Sequence, residues 1–375
     1  MRPPASVWLA FRKFWRFASI YGPRRALIKA SGRLRARYWG QLLWQRRGPG
    51  VGLIGCGQFG FSTIAYFLHA TARIVVCYDT DTSAAMRLAR MYGVKDVARS
   101  ADDLFASPAI QVVYIASNHA SHAEYAITAL RAGKRVYVEK PIAVSHAQLR
   151  ALCSTYRACG RNIFAGYNRP FSGAVRDIRA HLSVPEGPLT LGCFVSGHRI
   201  PPDHWYRRPA EGTRICGNVG HWLDLAVHFL SWRGIPDRWK ILLAWSDGRS
   251  RDDDLAVTLV SEAGDLVSIV LTARTEPFEG INETINLQWG DIIAKIDDFR
   301  RMTLWENEER YRYRYWPKDV GHRWAVLQPF SEYSRNWREV ELSSLLMLRI
   351  ADMVVNAQQQ ADFSFASEWA ALEIE

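Results

Sequence analysis

The 375-residue sequence predicts an α/β domain built on a parallel sheet, followed by an α+β domain with a large, mostly antiparallel open sheet. Two observations support this order. Apolar strand-like segments alternate with helical segments from residue 50 to residue 166, which is typical of a parallel sheet covered on both faces. After residue 185, strand-like segments follow one another with turns between them, which is typical of an antiparallel sheet with one exposed face.

The composition fits two globular domains. Hydrophobic residues make up 48% of the chain and charged residues 23%, and no apolar run approaches the ~18 residues that a membrane span needs. Without a C-x-x-C pair, the cysteines are expected to be reduced and mostly buried thiols of a cytoplasmic protein, with no disulfide framework and no metal site. The cysteines are Cys56, Cys77, Cys153, Cys159, Cys193 and Cys216.

Residues 1–49 form a basic, aromatic-rich extension, here called the arm. The first fifty residues contain twelve basic residues and no Asp or Glu, so the net charge of +11 leaves −1 for the rest of the chain. The basic residues are Arg2, Arg12, Lys13, Arg16, Arg24, Arg25, Lys29, Arg33, Arg35, Arg37, Arg46 and Arg47.

Within the arm, residues 7–22 show partial helical amphipathicity. The residues that share the apolar side are Trp8, Phe11, Phe14, Trp15 and Ala18. Three uses stay open: peripheral contact with an anionic membrane, folding back onto the body or a sister subunit, and binding of a partner protein or acidic glycan. Nucleic acid is not favoured because no binding motif accompanies the charge.

From residue 51 the elements alternate. Strands are predicted near 51–55, 73–78, 111–116, 135–139 and 162–166, and helices near 59–69, 82–92, 120–132 and 145–158. Further strands are predicted in "DLAVTLVS", "DLVSIVLTAR", "DIIAKID", "RMTLWE" and "RYRYRYW", and helices near 219–230 and 340–358.

A dinucleotide fingerprint follows the first of these strands. Gly55, Gly57 and Gly60 form G-x-G-x-x-G, with Gln58 and Phe59 before the last glycine, and a helix follows. Glycines permit a tight turn and close backbone approach, while the helix N-terminus faces a pyrophosphate. The second strand ends in Asp79, which would bind the adenosine ribose and repel a 2′-phosphate, so NAD is predicted rather than NADP. The alternative is a glycine turn without a ligand.

The sequence resembles the Gfo/Idh/MocA oxidoreductases over roughly residues 50 to 375. The motifs that carry the resemblance are "VGLIGCGQFG", "IASNHASHAEYAITALRAGK", "VYVEKP", "GYNRPFS" and "GNVGHWLD". The resemblance implies an NAD-binding Rossmann domain over 50–165 and a substrate-binding α/β domain over 166–375. The arm lies outside the common pattern.

The resemblance also implies site residues on the cofactor side. Lys140, at a strand end, would position the nicotinamide and hydrogen-bond the reacting hydroxyl, and Pro141 is often preceded by a cis peptide in the family. The other residues implied at the cofactor are Ser117, Asn118, His119, His122, Glu139 and Asn168. For His119 and His122 a capping or packing role stays open, as does packing for Tyr167 and Arg169.

His221 is the predicted general base. Asn218 is interpreted as a helix N-cap, which would keep the imidazole of His221 neutral near the helix N-terminus. Asp224 lies one turn further on the same face and completes the candidate catalytic residues with Lys140 and His221. Many family members carry D-x-x-x-H here, whereas this chain has Gly217 at the acidic position, so the usual means of holding substrate is altered.

The loop "SGHRIPPDHWYRRP" mixes polar and aromatic side chains that could line a sugar pocket or serve as an interdomain or oligomer loop. Together these observations predict an NAD-dependent oxidoreductase acting on a hydroxyl of a sugar, sugar derivative or nucleotide sugar, as a homo-oligomer. The enzyme would be cytoplasmic, or peripheral at the inner face of the membrane, and surface polysaccharide biosynthesis would suit it. The alternative is a non-catalytic NAD-binding scaffold or regulator with a membrane- or partner-binding arm.

Overall fold

The structure is a computed structural model that describes residues 5–33, 47–182, 185–277, 280–333 and 335–374. Several predicted features of the arm fall outside these residues, namely Arg2, Arg35, Arg37 and Arg46. The described residues form two compact units. The first comprises Met1–Ala143, Ala151–Gly166 and His322–Trp337, and the second Val144–Arg150, Tyr167–Gly321 and Arg338–Glu375.

The helices and strands alternate along the chain as follows. The helices are α1 (Ala5–Tyr21), α2 (Pro23–Arg33), α3 (Ala65–Leu68), α4 (Thr82–Tyr92), α5 (Ala101–Ala106), α6 (His122–Arg131), α7 (His146–Cys159), α8 (Gly173–His181), α9 (Gly220–Ser231), α10 (His322–Leu327), α11 (Trp337–Val355) and α12 (Phe365–Ile374). The strands of the first unit are β1 (Gly50–Ile54), β2 (Arg73–Tyr78), β3 (Asp96–Val97), β4 (Val112–Ile115), β5 (Arg135–Val138) and β6 (Ile163–Ala165). Those of the second unit are β7 (Thr190–Ser196), β8 (Arg238–Trp245), β9 (Leu255–Ser261), β10 (Leu266–Thr272), β11 (Asn282–Trp289), β12 (Ile292–Asp297), β13 (Arg301–Glu306), β14 (Glu309–Arg314) and β15 (Gln360–Ser364).

The first unit is built on a six-stranded parallel sheet in the order β3-β2-β1-β4-β5-β6. Every residue of β4 is buried, as expected for a strand covered on both faces. The predicted Rossmann architecture is therefore confirmed. Short β3 and α5 were not predicted, because two to six residues are too few to establish a period.

The chain returns to the first unit near its end. Val326 and Leu327 of α10 belong to the same hydrophobic core as Val51 and Leu53 of β1. The buried Tyr114 hydroxyl donates a hydrogen bond to the Val326 carbonyl at 2.6 Å. Residues 322–337 were predicted within the second domain. They lie in the first unit because α10 completes its core.

The arm packs on the first unit through α2 and the end of α1. Ile28 lies in the core beside Phe61, and the Arg25 guanidinium lies 5.2 Å from the Phe67 ring centroid. Ala18 and Ile20 are also buried. The predicted apolar side of the first helix is only partly the buried one, because its aromatic residues Trp8, Phe11 and Trp15 stay exposed.

The second unit is built on a nine-stranded sheet in the order β14-β13-β12-β11-β7-β10-β9-β8-β15. Only the β7–β10 pair is parallel among the described strands of this sheet; the other neighbours are antiparallel. Burial alternates along β12, so one face is packed and the other is open. The predicted large, mostly antiparallel open sheet is confirmed.

Among the described residues, no helix combines the length and apolarity that a bilayer crossing requires.

Candidate active site

The glycine turn after β1 has the geometry that a dinucleotide cradle needs. Gly55 has φ +90°, and a Cβ there would lie 2.3 Å from the Ala116 carbonyl oxygen. A Cβ at Gly60 would lie 2.1 Å from the Gly55 oxygen, whereas one at Gly57 would meet no atom within 4 Å. The first and third glycines therefore close the turn, and the second leaves an open surface for a ligand.

Asp79 ties the end of β2 to this turn. Its Oδ2 accepts a hydrogen bond from the Cys56 backbone N at 2.6 Å, and its Oδ1 accepts one from the Asp81 N at 2.8 Å. The carboxylate is only half-buried. A fixed carboxylate beside an open glycine turn is the donor and acceptor set that an NAD ribose and pyrophosphate require, so these residues fit NAD.

Gln58 and Phe59 open the helix that follows, and both side chains are exposed. The Gln58 amide donates to Ser62 Oγ at 3.1 Å and to the Lys29 carbonyl of α2 at 3.4 Å. The Phe59 ring lies 5.8 Å from that of His322. The arm is thus bonded to the fingerprint itself, a contact that the sequence did not indicate.

The loop after β4 is braced by His122, which is 1% exposed. One ring nitrogen, Nδ1, lies 2.8 Å from the Pro141 carbonyl and the other, Nε2, lies 3.1 Å from the Ser117 carbonyl. Ser121 Oγ donates to Asn118 Oδ1 at 2.8 Å. These bonds support the packing alternative for His122, which links the loop to the proline beside Lys140. His119 is likewise buried.

Glu139 and Lys140 follow the last residue of β5. The Glu139 carboxylate is buried and accepts a hydrogen bond from the Tyr137 hydroxyl at 2.7 Å. Burial raises the pKa of Glu139 to about 7, against the lowering effects of that hydrogen bond and of the Lys140 charge. Lys140 is half-buried, and the Lys140–Pro141 peptide is cis, as the family resemblance implies.

These segments meet at one edge of the parallel sheet. Strands β2, β1, β4 and β5 are consecutive neighbours, and their carboxyl ends carry Asp79, the glycine turn, the loop from Ser117 to His122, and Lys140. Ligands of doubly wound sheets bind at this edge. The first unit therefore brings together all the predicted cofactor residues except Asn168.

Asn168 and its neighbours lie in the second unit. Asn168 is 2% exposed and its side-chain amide donates to the Val320 carbonyl. Arg169 makes a bidentate ion pair with buried Glu283, with Nε 2.7 Å from Oε2 and Nη2 3.0 Å from Oε1. Trp222 Nε1 donates a hydrogen bond to the same carboxylate at 2.8 Å. These contacts support the packing alternative for Arg169.

The interpretation of Asn218 as an N-cap is wrong. A π-helical turn, Ile215–Val219, leads directly into α9, and Val219 has φ −58° and ψ −35°. His221 therefore lies beyond the first helical turn, where the macrodipole effect on an imidazole has faded. An extra residue in a helical turn leaves no simple sequence signature, so the pattern could not reveal it.

His221 is half-buried on α9, with its ring 6.1 Å from the Tyr167 ring and perpendicular to it. Asp224 is fully buried and accepts a hydrogen bond from Ser343 Oγ of α11 at 3.0 Å. A carboxylate with no exposed surface can hold α9 in place. This burial argues against direct contact between Asp224 and a substrate, and its catalytic assignment stays a prediction.

The side-chain space at Gly217 is occupied by Tyr206. A Cβ on Gly217 would lie 2.1 Å from the Tyr206 hydroxyl oxygen and 2.2 Å from its Cζ. Burial raises the pKa of Tyr206 above its ordinary value, although the Arg214 charge opposes this. A neutral phenol therefore fills the position from which family members commonly present a carboxylate.

The loop that carries Tyr206 is anchored on both sides by the same carboxylate. Arg207 Nη2 lies 2.8 Å from Asp253 Oδ2, and Arg214 Nη1 lies 3.0 Å from Asp253 Oδ1. In the same loop, His198 pairs with Glu276 at 2.7 Å. Over the described part of the chain, no group of three or more His, Cys, Asp or Glu could hold a metal ion.

Comparison with known proteins agrees with this architecture. The family model described as "Oxidoreductase family, NAD-binding Rossmann fold" of the Gfo/Idh/MocA group matches residues 50–167.

Over these residues the chain is similar to the Gfo/Idh/MocA oxidoreductases.

Among the curated proteins similar to this chain, an inositol 2-dehydrogenase of Gluconacetobacter diazotrophicus is 34% identical over 137 residues, covering 36% of this chain and 41% of that protein. GenD2 from gentamicin A biosynthesis, in complex with NAD, superposes with a TM-score of 0.69 at 16% identity, covering 88% of this chain and 99% of that one. UDP-N-acetylglucosamine 3-dehydrogenase GnnA from Acidithiobacillus ferrooxidans gives 0.67 at 17% identity, covering 84% and 100%. The chain spans about half the length of the curated relatives it matches.

Proposed function

We propose that the protein is an NAD-dependent oxidoreductase that acts on a hydroxyl group of a sugar or sugar derivative. The observation that supports it best is the edge of the parallel sheet, where the open glycine turn, Asp79 and the Lys140 strand end lie together. A turn that only joined a strand to a helix would need neither the open Gly57 nor a lysine on a neighbouring strand end.

NAD is the proposed cofactor rather than NADP. The Asp79 carboxylate is half-buried and fixed by two backbone amides, so it can accept hydrogen bonds from a ribose. The same negative charge would repel a 2′-phosphate. When bound, NAD supplies the acceptor for the hydride that leaves the substrate carbon.

The chain's own residues supply the proton chemistry. His221 takes the proton of the substrate hydroxyl at a ring nitrogen, and Lys140 Nζ stabilises the negative charge that develops on the substrate oxygen. Asp224, through Ser343, keeps α9 in register so that His221 is correctly oriented. His122 fixes the backbone beside Lys140 through the Pro141 carbonyl.

A cyclic polyol is the proposed substrate class. Relatives are named for inositol and for UDP-N-acetylglucosamine, both of which offer a ring with secondary hydroxyls. The Tyr206 phenol at Gly217 favours a substrate different from one held by a carboxylate, because a neutral hydroxyl can both donate and accept. A role in surface polysaccharide biosynthesis is the finer proposal.

Turnover assays test the proposal. The purified full-length chain is incubated with NAD or NADP and a panel of inositols, sugars and nucleotide sugars, and reduced nicotinamide and products are measured. We expect turnover with NAD, and losses of roughly 10² to 10⁴ in kcat for Lys140→Ala and His221→Ala. Lys295→Ala and His181→Ala are the matched controls, because Lys295 is exposed on β12, His181 pairs with Glu306, and neither belongs to the candidate site.

Two outcomes would count against this function. Full turnover in either Lys140→Ala or His221→Ala would remove that residue from the mechanism. NAD binding without any product across the panel would favour a non-catalytic NAD-binding scaffold, an alternative supported by the missing carboxylate at Gly217.

We also propose that the protein works in the cytoplasm as a homo-oligomer. Its cysteines are free thiols, of which all but Cys159 are buried. The open face of the nine-stranded sheet exposes large apolar side chains, which is typical of an interface between subunits. They are Phe194, Val260, Leu266 and Ile293.

A further inference from the structure

The amino-terminal half of α1 exposes a row of aromatic rings. Trp8, Phe11 and Trp15 retain 54%, 58% and 57% of their surface, and they share one side of the helix at ~100° per residue. The rings of Phe11 and Trp15 touch edge to face, with centroids 5.9 Å apart. Large aromatic rings exposed side by side on a folded protein are typical of a surface that binds a protein, a membrane or a ligand.

The helix that carries these exposed rings packs on the first unit elsewhere along its length. Ala18 and Ile20 of the same helix are 5% and 3% exposed. In α2, Ile28 is buried, and Lys29 Nζ lies 3.9 Å from the Phe17 ring centroid. The arm is therefore anchored at one end, while its aromatic end faces outward.

The charges beside the rings indicate the kind of partner. Arg12, Lys13 and Arg16 are exposed on the same helix turns, and the Arg12 guanidinium lies 4.8 Å from the Trp8 ring centroid. No acidic residue occurs in the first fifty residues. A partner for this surface must offer negative charge at its rim and apolar volume just beneath.

An anionic lipid surface has that layered arrangement. Aromatic side chains settle between headgroups and acyl chains, and adjacent basic side chains reach the phosphates. We propose that the amino-terminal half of α1 docks on an anionic membrane, with Trp8, Phe11 and Trp15 in the interface and the three basic residues at the headgroups. The proposal does not depend on the catalytic function.

Vesicle binding tests the proposal with the full-length chain. Protein is sedimented with vesicles of phosphatidylcholine alone or mixed with phosphatidylglycerol, at low and high salt. We expect binding only to the mixed vesicles, weakened by salt. Arg12→Glu/Lys13→Glu/Arg16→Glu should weaken binding by about a hundredfold or more, at about fivefold for each charge. Trp8→Ala/Phe11→Ala/Trp15→Ala should abolish sedimentation with the mixed vesicles.

The controls make the same kinds of change at exposed positions outside the arm. Lys95→Glu/Arg99→Glu/Arg131→Glu matches the charge change at exposed positions, and Trp316→Ala/Trp324→Ala matches the loss of exposed rings. Both should bind as the unchanged protein does. The proposal is wrong if the controls lose as much binding as the α1 variants, if neither α1 variant loses binding, or if no vesicle is bound at low salt. Charge-dependent binding of single-stranded RNA without vesicle binding would assign the surface to nucleic acid and also overturn it.

Discussion

At the scale of single residues, Glu139 couples the stability of the first unit to pH. Its pKa is raised from 4.5 to about 7, so the folded state holds the proton more tightly than the unfolded chain does. The protonated Glu139 therefore stabilises the folded state at low pH, and this contribution is lost as pH rises from about 4.5 to about 7. The free energy of unfolding falls by about 3 kcal/mol over that range.

Glu139→Gln should remove this dependence. Glutamine keeps an oxygen that accepts the Tyr137 hydrogen bond but does not titrate. We expect the free energy of unfolding of the cofactor-free protein to fall between pH 5 and pH 7, and to fall less in the variant. Denaturant unfolding at several pH values measures this, with exposed Glu308→Gln as the control. Parallel pH curves for both variants and the unchanged protein would contradict it.

Tyr206 and Gly217 should be energetically coupled. Gly217→Ala alone forces a Cβ into the phenol, and such overpacking costs about 1 to 3 kcal/mol. With Tyr206→Ala already in place, the same change should be neutral or stabilising by about 1 kcal/mol, because alanine is the better helix former. A double-mutant cycle by denaturant unfolding measures the coupling, and additive effects would show that the two residues do not compete for space.

At the scale of elements, the buried strands were predictable and the contacts between distant loops were not. Five strands of the first unit lie within one or two residues of their predicted bounds, namely β1, β2, β4, β5 and β6. They were predictable because a parallel strand that is buried on both faces has a continuous run of apolar residues. β11 was missed because the charged Glu283 interrupts its buried side, where it pairs with Arg169, a partner distant in the sequence. The approach of Tyr206 to Gly217 depends on Asp253, far along the chain, which no local pattern reveals.

The cofactor side of the site was accordingly more predictable than the substrate side. The glycine turn and Lys140 depend on the ends of adjacent strands, which the alternating pattern locates well. The position of His221 depends on a π-helical turn and on the bond that joins Asp224 of α9 to Ser343 of α11. Neither the π-helical turn nor the contact with α11 can be predicted from helical periodicity.

Packing of helix α2 on the first unit should contribute to the free energy of unfolding of that unit. Ile28 is 5% exposed within the core, whereas Leu27 next to it is 46% exposed. Ile28→Ala should cost about 2 kcal/mol or more through lost burial and a cavity. Leu27→Ala is the matched control and should stay within about 0.5 kcal/mol. Equal effects in denaturant unfolding would mean that α2 does not pack on the body in solution.

At the scale of the whole molecule, the open sheet face should govern association. Phe194 and Ile293 are about half exposed on strands β7 and β12. Phe194→Lys/Ile293→Lys would bring charge into a buried interface, which is costly. We expect the mass measured by light scattering to fall to that of one chain. Lys95→Ala/Asp102→Ala, at exposed positions of the first unit, should leave it unchanged. An unaltered mass in the double lysine variant would place the subunit contact elsewhere.

The crowding of Gly217 by Tyr206 has a consequence for how such a site can evolve. An aspartate at position 217 would place its first carbon in the volume that the phenol already fills. The aromatic ring would therefore have to move, or be replaced by a smaller side chain, before a carboxylate could pack there without strain. Natural variation at the two positions should consequently be correlated, with a larger residue at 217 accompanied by a smaller one at 206.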